Sequence, residues 1–98
     1  MRYTDRMIKD FKHKGLEKFF VSNSTRGIQS KHSSKLRMQL AMLNAATEVD
    51  DMNKPNWNLH QLKGQKAGIW SIKVSGNWRV TFRFKEGDAY IVSYEDYH

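Results

Sequence analysis

Three stretches of this chain carry side chains that can move protons or hold an anion near neutral pH. His60 is followed three positions later by Lys63, Lys73 precedes the pair Arg79 and Arg83, and the chain ends Asp96-Tyr97-His98. Imidazole gives and takes protons around pH 7. Lysine neutralises a phosphate as a point charge, and arginine does so with paired N–H donors. Such a set suits RNA cleavage by its own 2′-hydroxyl. That reaction needs a base for the 2′-proton, cations for the crowded phosphorane and an acid for the departing 5′-oxygen. Other chemistries lack their parts. There is no cysteine, no Gly-x-Ser-x-Gly and no P-loop. His13, His32, His60 and His98 stand far apart, so neither a metal site nor a cofactor is expected. Each feature also has a plainer explanation: an exposed polar pair, a solvated sheet face, a frayed tail. On residues alone, nucleic-acid binding is the broader reading and a metal-free ribonuclease the sharper one.

Charge supports a polyanionic partner. The 98 residues carry a net +7. Ten basic and three acidic side chains fall in residues 1–40, against seven of each in 41–98. From Lys63 to Lys85 there are six basic residues and no acid. A field of this kind attracts RNA, DNA or an acidic protein surface. With 39% hydrophobic and 12% aromatic residues the chain can build one core, and one domain is expected over residues 1–98. No apolar run approaches a membrane span, and Met1–Arg6 lacks the apolar segment of a secretory signal. A cytoplasmic protein without disulfides is expected.

The elements that must position these residues follow from hydrophobic period. Met7–Phe11 alternates as a short first strand, and Leu16, Phe19 and Phe20 predict a helix from Lys12 to about Val21. A second helix is expected from about Ser30 to Ala46, with Leu36, Leu40 and Leu43 on one stripe. Met38, Met42 and Ala45 widen that apolar face, while Lys31, Lys35 and Arg37 lie off it. After Pro55 the period changes from 3.6 to 2. Strands are expected at Asn58–Leu62, Gly68–Val74, Trp78–Phe84 and Ala89–Tyr94, with Ser75-Gly76-Asn77 as a hairpin turn. The fold class is α+β: two N-terminal helices packed on a small antiparallel β-sheet. Lys73, Arg79 and Arg83 share the other sheet face. The acidic Glu48-Asp50-Asp51 stretch reads as a solvated loop.

The segments Met7–Leu16, Leu59-His60-Gln61-Leu62-Lys63-Gly64, Gly68–Ile72, Asn77–Phe82, Gly87–Ile91 and Tyr94–His98 resemble, in order, the HigB-type toxins. These are the host-inhibition-of-growth branch of the RelE/ParE superfamily. Met1–Arg6 lies outside the family pattern and reads as an extension upstream of an alternative start at Met7. Gln61 stands where many relatives have proline. The resemblance implies a RelE-like, microbial-RNase-like fold and a toxin of a type II toxin–antitoxin system. It further implies a metal-independent endoribonuclease that cleaves mRNA in the ribosomal A site and inhibits translation. Carried over by position, His60, Asp96, Tyr97 and His98 are the catalytic group. His60 or Asp96 serves as base or orienting group and His98 as acid. Lys63 and Arg79 hold the scissile phosphate, and Lys73 and Arg83 bind RNA backbone. The implied partners are a HigA-like helix-turn-helix antitoxin, the 70S ribosome and mRNA, with operator DNA reached only through the antitoxin and no membrane. Two alternatives stay open: a ParE-like inhibitor of DNA gyrase, and a non-catalytic RNA-binding module.

Overall fold

The first helix begins where a side chain can satisfy its free N–H groups. In the computed structural model, which describes residues 8–97, α1 spans Lys14–Ser22. His13 Nδ1 accepts the N–H of Leu16 at 2.9 Å, so the helix starts two residues later than expected. Asn23, left-handed at φ 66°, ends it by donating its N–H to Phe19 O. Leu16 and Phe19 are buried and Phe20 half-buried. A 3₁₀ turn at Ser30–His32 leads into α2, Ser33–Ala45. Leu36, Leu40 and Leu43 are buried as the stripe predicts. Met42 is half-buried against the core, but Met38 and Ala45 are exposed, so the apolar face of α2 is narrower than expected. Gln39 is buried instead and donates from Nε2 to Lys73 O at 2.9 Å, tying α2 to the sheet.

The four-stranded antiparallel sheet has the order β1-β2-β3-β4. Its strands are β1 (His60–Gln61), β2 (Ile69–Ser75), β3 (Trp78–Lys85) and β4 (Asp88–Asp96). The chain is therefore α+β. Ile72, Val74, Val80, Phe82, Val92 and Tyr94 join the helix side chains in one buried cluster. β1 is shorter than expected because Asn58 is left-handed, φ 51°, and breaks the extended run. The expected first strand does not form a ladder. Residues 8–12 pair with β4 through the isolated parallel bridges Ile8–Ala89 and Phe11–Val92 rather than a continuous ladder, and Met7 lies outside the described residues. Beside those bridges β4 bulges: Ile91 sits at φ 45° and donates its N–H to the Asp10 carboxylate.

Two core residues escaped the periodic reading, Met52 and Trp57, both in the connection between α2 and β1. The acidic stretch before them is a built turn, not a loop. Val49–Met52 is a 3₁₀ turn with a reciprocal capping box, and the Asp51 carboxylate accepts the N–H groups of Thr47 and Glu48. Those two hydrogen bonds hold the Asp51 carboxyl below its ordinary pKa. Trp57 O accepts the N–H of Lys73 at 2.7 Å, fastening this connection along β2 just ahead of His60.

Candidate active site

Strand alternation assembles the site in rows. Across the four strands His60 lies opposite Ser71, Ser71 opposite Thr81, and Thr81 opposite Ser93. The next row along is Lys73, Arg79 and Glu95. Directly opposed residues have Cβ atoms roughly 5 Å apart, and diagonal neighbours such as His60 and Lys73 are about 7–8 Å apart. The face is not simply solvated. Ser71, Thr81 and Ser93 are buried, a hydroxyl floor beneath longer charged side chains. Ser93 donates to the Glu95 carboxylate at 2.9 Å. Ser71 Oγ and Arg79 Nη1 are buried without a hydrogen-bond partner among the described residues. A guanidinium nitrogen removed from water without an acceptor is costly, and an anion is the partner that would satisfy it.

His60 is exposed on the edge strand, its Nδ1 2.8 Å from Asn58 O. A carbonyl oxygen can only accept, so Nδ1 carries a proton, and in the neutral ring Nε2 is the bare nitrogen. The left-handed turn at Asn58 that shortens β1 thus also fixes the histidine tautomer. Lys63 is exposed and opens the 3₁₀ turn Gly64–Lys66 that links β1 to β2.

As far as Tyr97 the chain is held rather than frayed, because Tyr97 donates its N–H to Asn77 O at 2.8 Å. Lys66 Nζ donates to the Tyr97 hydroxyl at 3.4 Å, sits 5.1 Å from its ring centre and lies 3.6 Å from the Glu95 carboxylate. The phenol hydrogen bond, followed by the charges of Tyr97 and Glu95, raises the Lys66 pKa. Lys12 reaches the same carboxylate at 3.8 Å. Alternation puts Asp96 on the opposite side. It pairs with Trp78, and its charge acts on the Tyr94 phenol. His60 and Asp96 are therefore not brought together. They belong to the two outer strands, about 14 Å apart by strand spacing, and to opposite faces. His98 lies outside the described residues.

Behind the sheet Tyr94 anchors a second, buried arrangement. Its hydroxyl is 2.6 Å from His32 Nδ1 and accepts the N–H of Gln29, and its ring stacks on Trp78 at 4.5 Å. Burial lowers the His32 pKa, with the Lys31 charge adding to it. Burial also lowers that of His13, partly offset by Glu95. A neutral His32 shares a hydrogen bond with the Tyr94 hydroxyl, and His13 caps α1 through an unprotonated Nδ1. These two histidines therefore serve packing, as does Arg37, which bonds Asn23 and covers the Phe19 ring.

Lys66, Lys12, Glu95 and the hydroxyl row were not among the residues that the sequence singled out. Glu95 was legible in principle: with Tyr94 inward, alternation sends Glu95 and Tyr97 to the other face and leaves Asp96 on the Tyr94 side, where it is exposed. Lys12 and Lys66 carried no such signal, because loops bring them in. Among the described residues no three histidine or carboxylate side chains converge as metal ligands, and no helix is long and apolar enough to cross a membrane.

Residues 9–98 match the protein family described as RelE-like toxin of type II toxin-antitoxin system HigB. Endoribonuclease HigB of Proteus vulgaris is 47% identical over 92 residues, covering 94% of this chain and 100% of the relative. Toxin HigB-1 of Vibrio cholerae serotype O1 is 33% identical over 94 residues, covering 94% of this chain and 98% of the relative. The chain belongs to the HigB-like family of RelE-like toxins of type II toxin–antitoxin systems.

Proposed function

We propose that this toxin is an endoribonuclease that cleaves mRNA in the A site of the 70S ribosome by metal-free acid–base catalysis on the Arg79 face of its sheet. The observation that carries the reading is the buried Arg79 Nη1 without an acceptor among the described residues, on the same face as a histidine whose Nδ1 is tied to a carbonyl and whose Nε2 faces away from that bond. A relative named as an endoribonuclease, 47% identical over nearly the whole chain, supports it. The chain is read as one toxin domain of the RelE-like, microbial-RNase-like fold, with its two helices on the face opposite the site.

In this mechanism His60 Nε2 accepts the 2′-hydroxyl proton. The 2′-oxygen then attacks phosphorus, the 5′-oxygen leaves, and a 2′,3′-cyclic phosphate and a 5′-hydroxyl remain. Arg79, with Lys73 opposite and Lys63 from the preceding turn, neutralises the phosphorane. Tyr97 orients the phosphate through its hydroxyl, and His98 protonates the leaving oxygen. Asp96, on the Tyr94 side, steadies the tail rather than moving a proton. Arg83 contacts RNA backbone further along. Among the described residues the cleft on this face is about 190 Å³, too small to bend an RNA strand into line. Alignment therefore falls to the ribosome, and such orientation is worth about 7 kcal/mol or more. Free RNA is expected to be a poor substrate.

A type II toxin has an antitoxin partner. Here we assign a HigA-like helix-turn-helix protein bound to the basic helical half, with operator DNA reached through it, and action in the bacterial cytoplasm. The test is mapping of new mRNA 5′ ends in cells, and on programmed ribosomes, for the parent and for His60→Ala and Arg79→Ala. Codon-phased cleavage lost in both variants supports the reading. Growth arrest without mRNA cleavage would move the protein to the gyrase-inhibiting branch. Cleavage on intact ribosomes that is abolished by removing every divalent ion except those the ribosome holds would refute the metal-free mechanism.

A further inference from the structure

The charged face contains two groups of cations that do not converge on one point. Arg79 and Arg83 are four residues apart on β3, about 13 Å by strand rise. Their surroundings also differ. Arg79 lies opposite Lys73, whereas Arg83 Nη1 lies against Gly68, beyond Ile69 in the other direction. A Cβ at Gly68 would come within 3.0 Å of that nitrogen, and Gly68 sits at φ +92°. The glycine thus leaves room for the guanidinium and supplies the turn that β2 starts from.

Beside Arg83 is a cleft of about 190 Å³ whose lining includes Lys12, Lys66, Thr81, Glu95 and Tyr97. This is the scale of a phosphodiester rather than of a whole small-molecule ligand, for which about 300 Å³ or more is usual. Its donors outnumber its acceptors. Glu95 is the carboxylate of the cleft, and it is shared by Lys12, Lys66 and the Ser93 hydroxyl. The Tyr97 oxygen accepts from Lys66, which leaves the phenol hydrogen to donate.

We propose that the cleft formed by Lys12, Lys66, Arg83 and Tyr97 is a second phosphate subsite, which takes an RNA backbone phosphate other than the one held by Arg79 and Lys73. Its placement as a subsite of the substrate strand rests on the endoribonuclease reading. The two sites share Tyr97, so a bound strand crosses the hydroxyl floor between them. Glu95 acts there as a resident counter-ion that the phosphate displaces from Lys66 and Lys12.

The experiment is fluorescence anisotropy of the purified toxin at low salt with a labelled tetraribonucleotide. All of its riboses are 2′-O-methyl, so it cannot be cut. Each of its three phosphates is replaced in turn by a neutral methylphosphonate. Lys66→Ala with Arg83→Ala should weaken binding roughly tenfold or more, the scale of a lost charge-assisted contact. The double change should also reduce the salt slope by about 0.7, from one phosphate of a single strand no longer neutralised. One methylphosphonate should lose its effect in that double variant, and a different one should lose its effect in Arg79→Ala. Glu95→Gln should bind more tightly than the parent. Thermal melts should be unchanged for all three exposed-side variants, Lys66→Ala, Arg83→Ala and the double. If the double variant binds like the parent, or the same phosphate couples to both Arg79 and Arg83, the second subsite is overturned. mRNA cleavage by the same proteins is read separately. Parent toxin that binds through the cleft without ever cutting message refutes the nuclease reading and leaves the phosphate site standing. A double variant that binds and cuts like the parent does the reverse.

Discussion

Replacing Arg79 by methionine should make this protein more stable and nearly inactive. Methionine keeps much of the aliphatic stem that packs along β3 and removes the charged head. In the free toxin that head has a buried nitrogen with no acceptor among the described residues. An unsatisfied buried donor costs about 1–3 kcal/mol, and because the residue as a whole is only half-buried the lower end applies. A gain of about 1 kcal/mol in a domain of this size raises the melting temperature by roughly 4–8 °C. Catalysis should move the other way. A preorganised cation acting on developing phosphorane charge is worth about 2.7–4 kcal/mol, a loss of roughly 10²–10³ in kcat. The assay is single-turnover cleavage of message on programmed ribosomes beside a thermal melt, with Arg83→Met as the exposed control. Arg83→Met should leave the melt unchanged and the cut site in place. An Arg79→Met protein that melts lower than the parent would show that the guanidinium holds the sheet together and is not waiting for an anion. One that melts higher but cleaves normally would remove Arg79 from the chemistry.

His60→Ala should lower single-turnover cleavage by about 10²–10⁴, the usual range for a lost general base, while oligonucleotide binding is retained. Parallel loss of binding would mean that the imidazole is only a contact. Gly27→Ala should destabilise by about 1–3 kcal/mol in urea melts, because a Cβ there would lie 2.5 Å from the Gly15 Cα and backbone must shift. Gly76→Ala, with nothing within 4 Å of its Cβ, tests backbone conformation alone at φ +56° and should cost less. Stability should depend on pH through His13 and His32, whose folded pKa values lie below the ordinary 6.5. The unfolded chain binds more protons, so their contribution is complete above about pH 6.5 and is lost as the pH falls through the lower folded values. Urea midpoints at pH 7.5 and 5.5 check this, and replacing both histidines with glutamine should flatten that part of the profile.

Local pattern was enough for the helices and the meander. Leu36, Leu40 and Leu43 recur at helical spacing, and Trp78 to Phe84 alternates, because one face of each element must leave water. The same alternation put Lys73, Arg79 and Arg83 on one sheet face. Lys63, His60, Tyr97 and His98 were legible as reactive types, and the resemblance of the chain to known toxins gave them roles. Tertiary structure decided what stands next to what. Register, not residue type, aligned His60 with Ser71 and Arg79 with Glu95, and it sent Asp96 to the Tyr94 face, away from His60. Capping chemistry turned His13 into a helix start and Asp51 into a turn closure, roles that depend on N–H groups no hydrophobic period records. Burial of Met52 and Trp57 came from a loop folding back on β2, and the cleft of Lys12, Lys66 and Arg83 from loops meeting over the sheet. Side chains that are distant in sequence meet only when the chain closes. Periodicity reports which way a residue faces, and the closed fold decides what it faces.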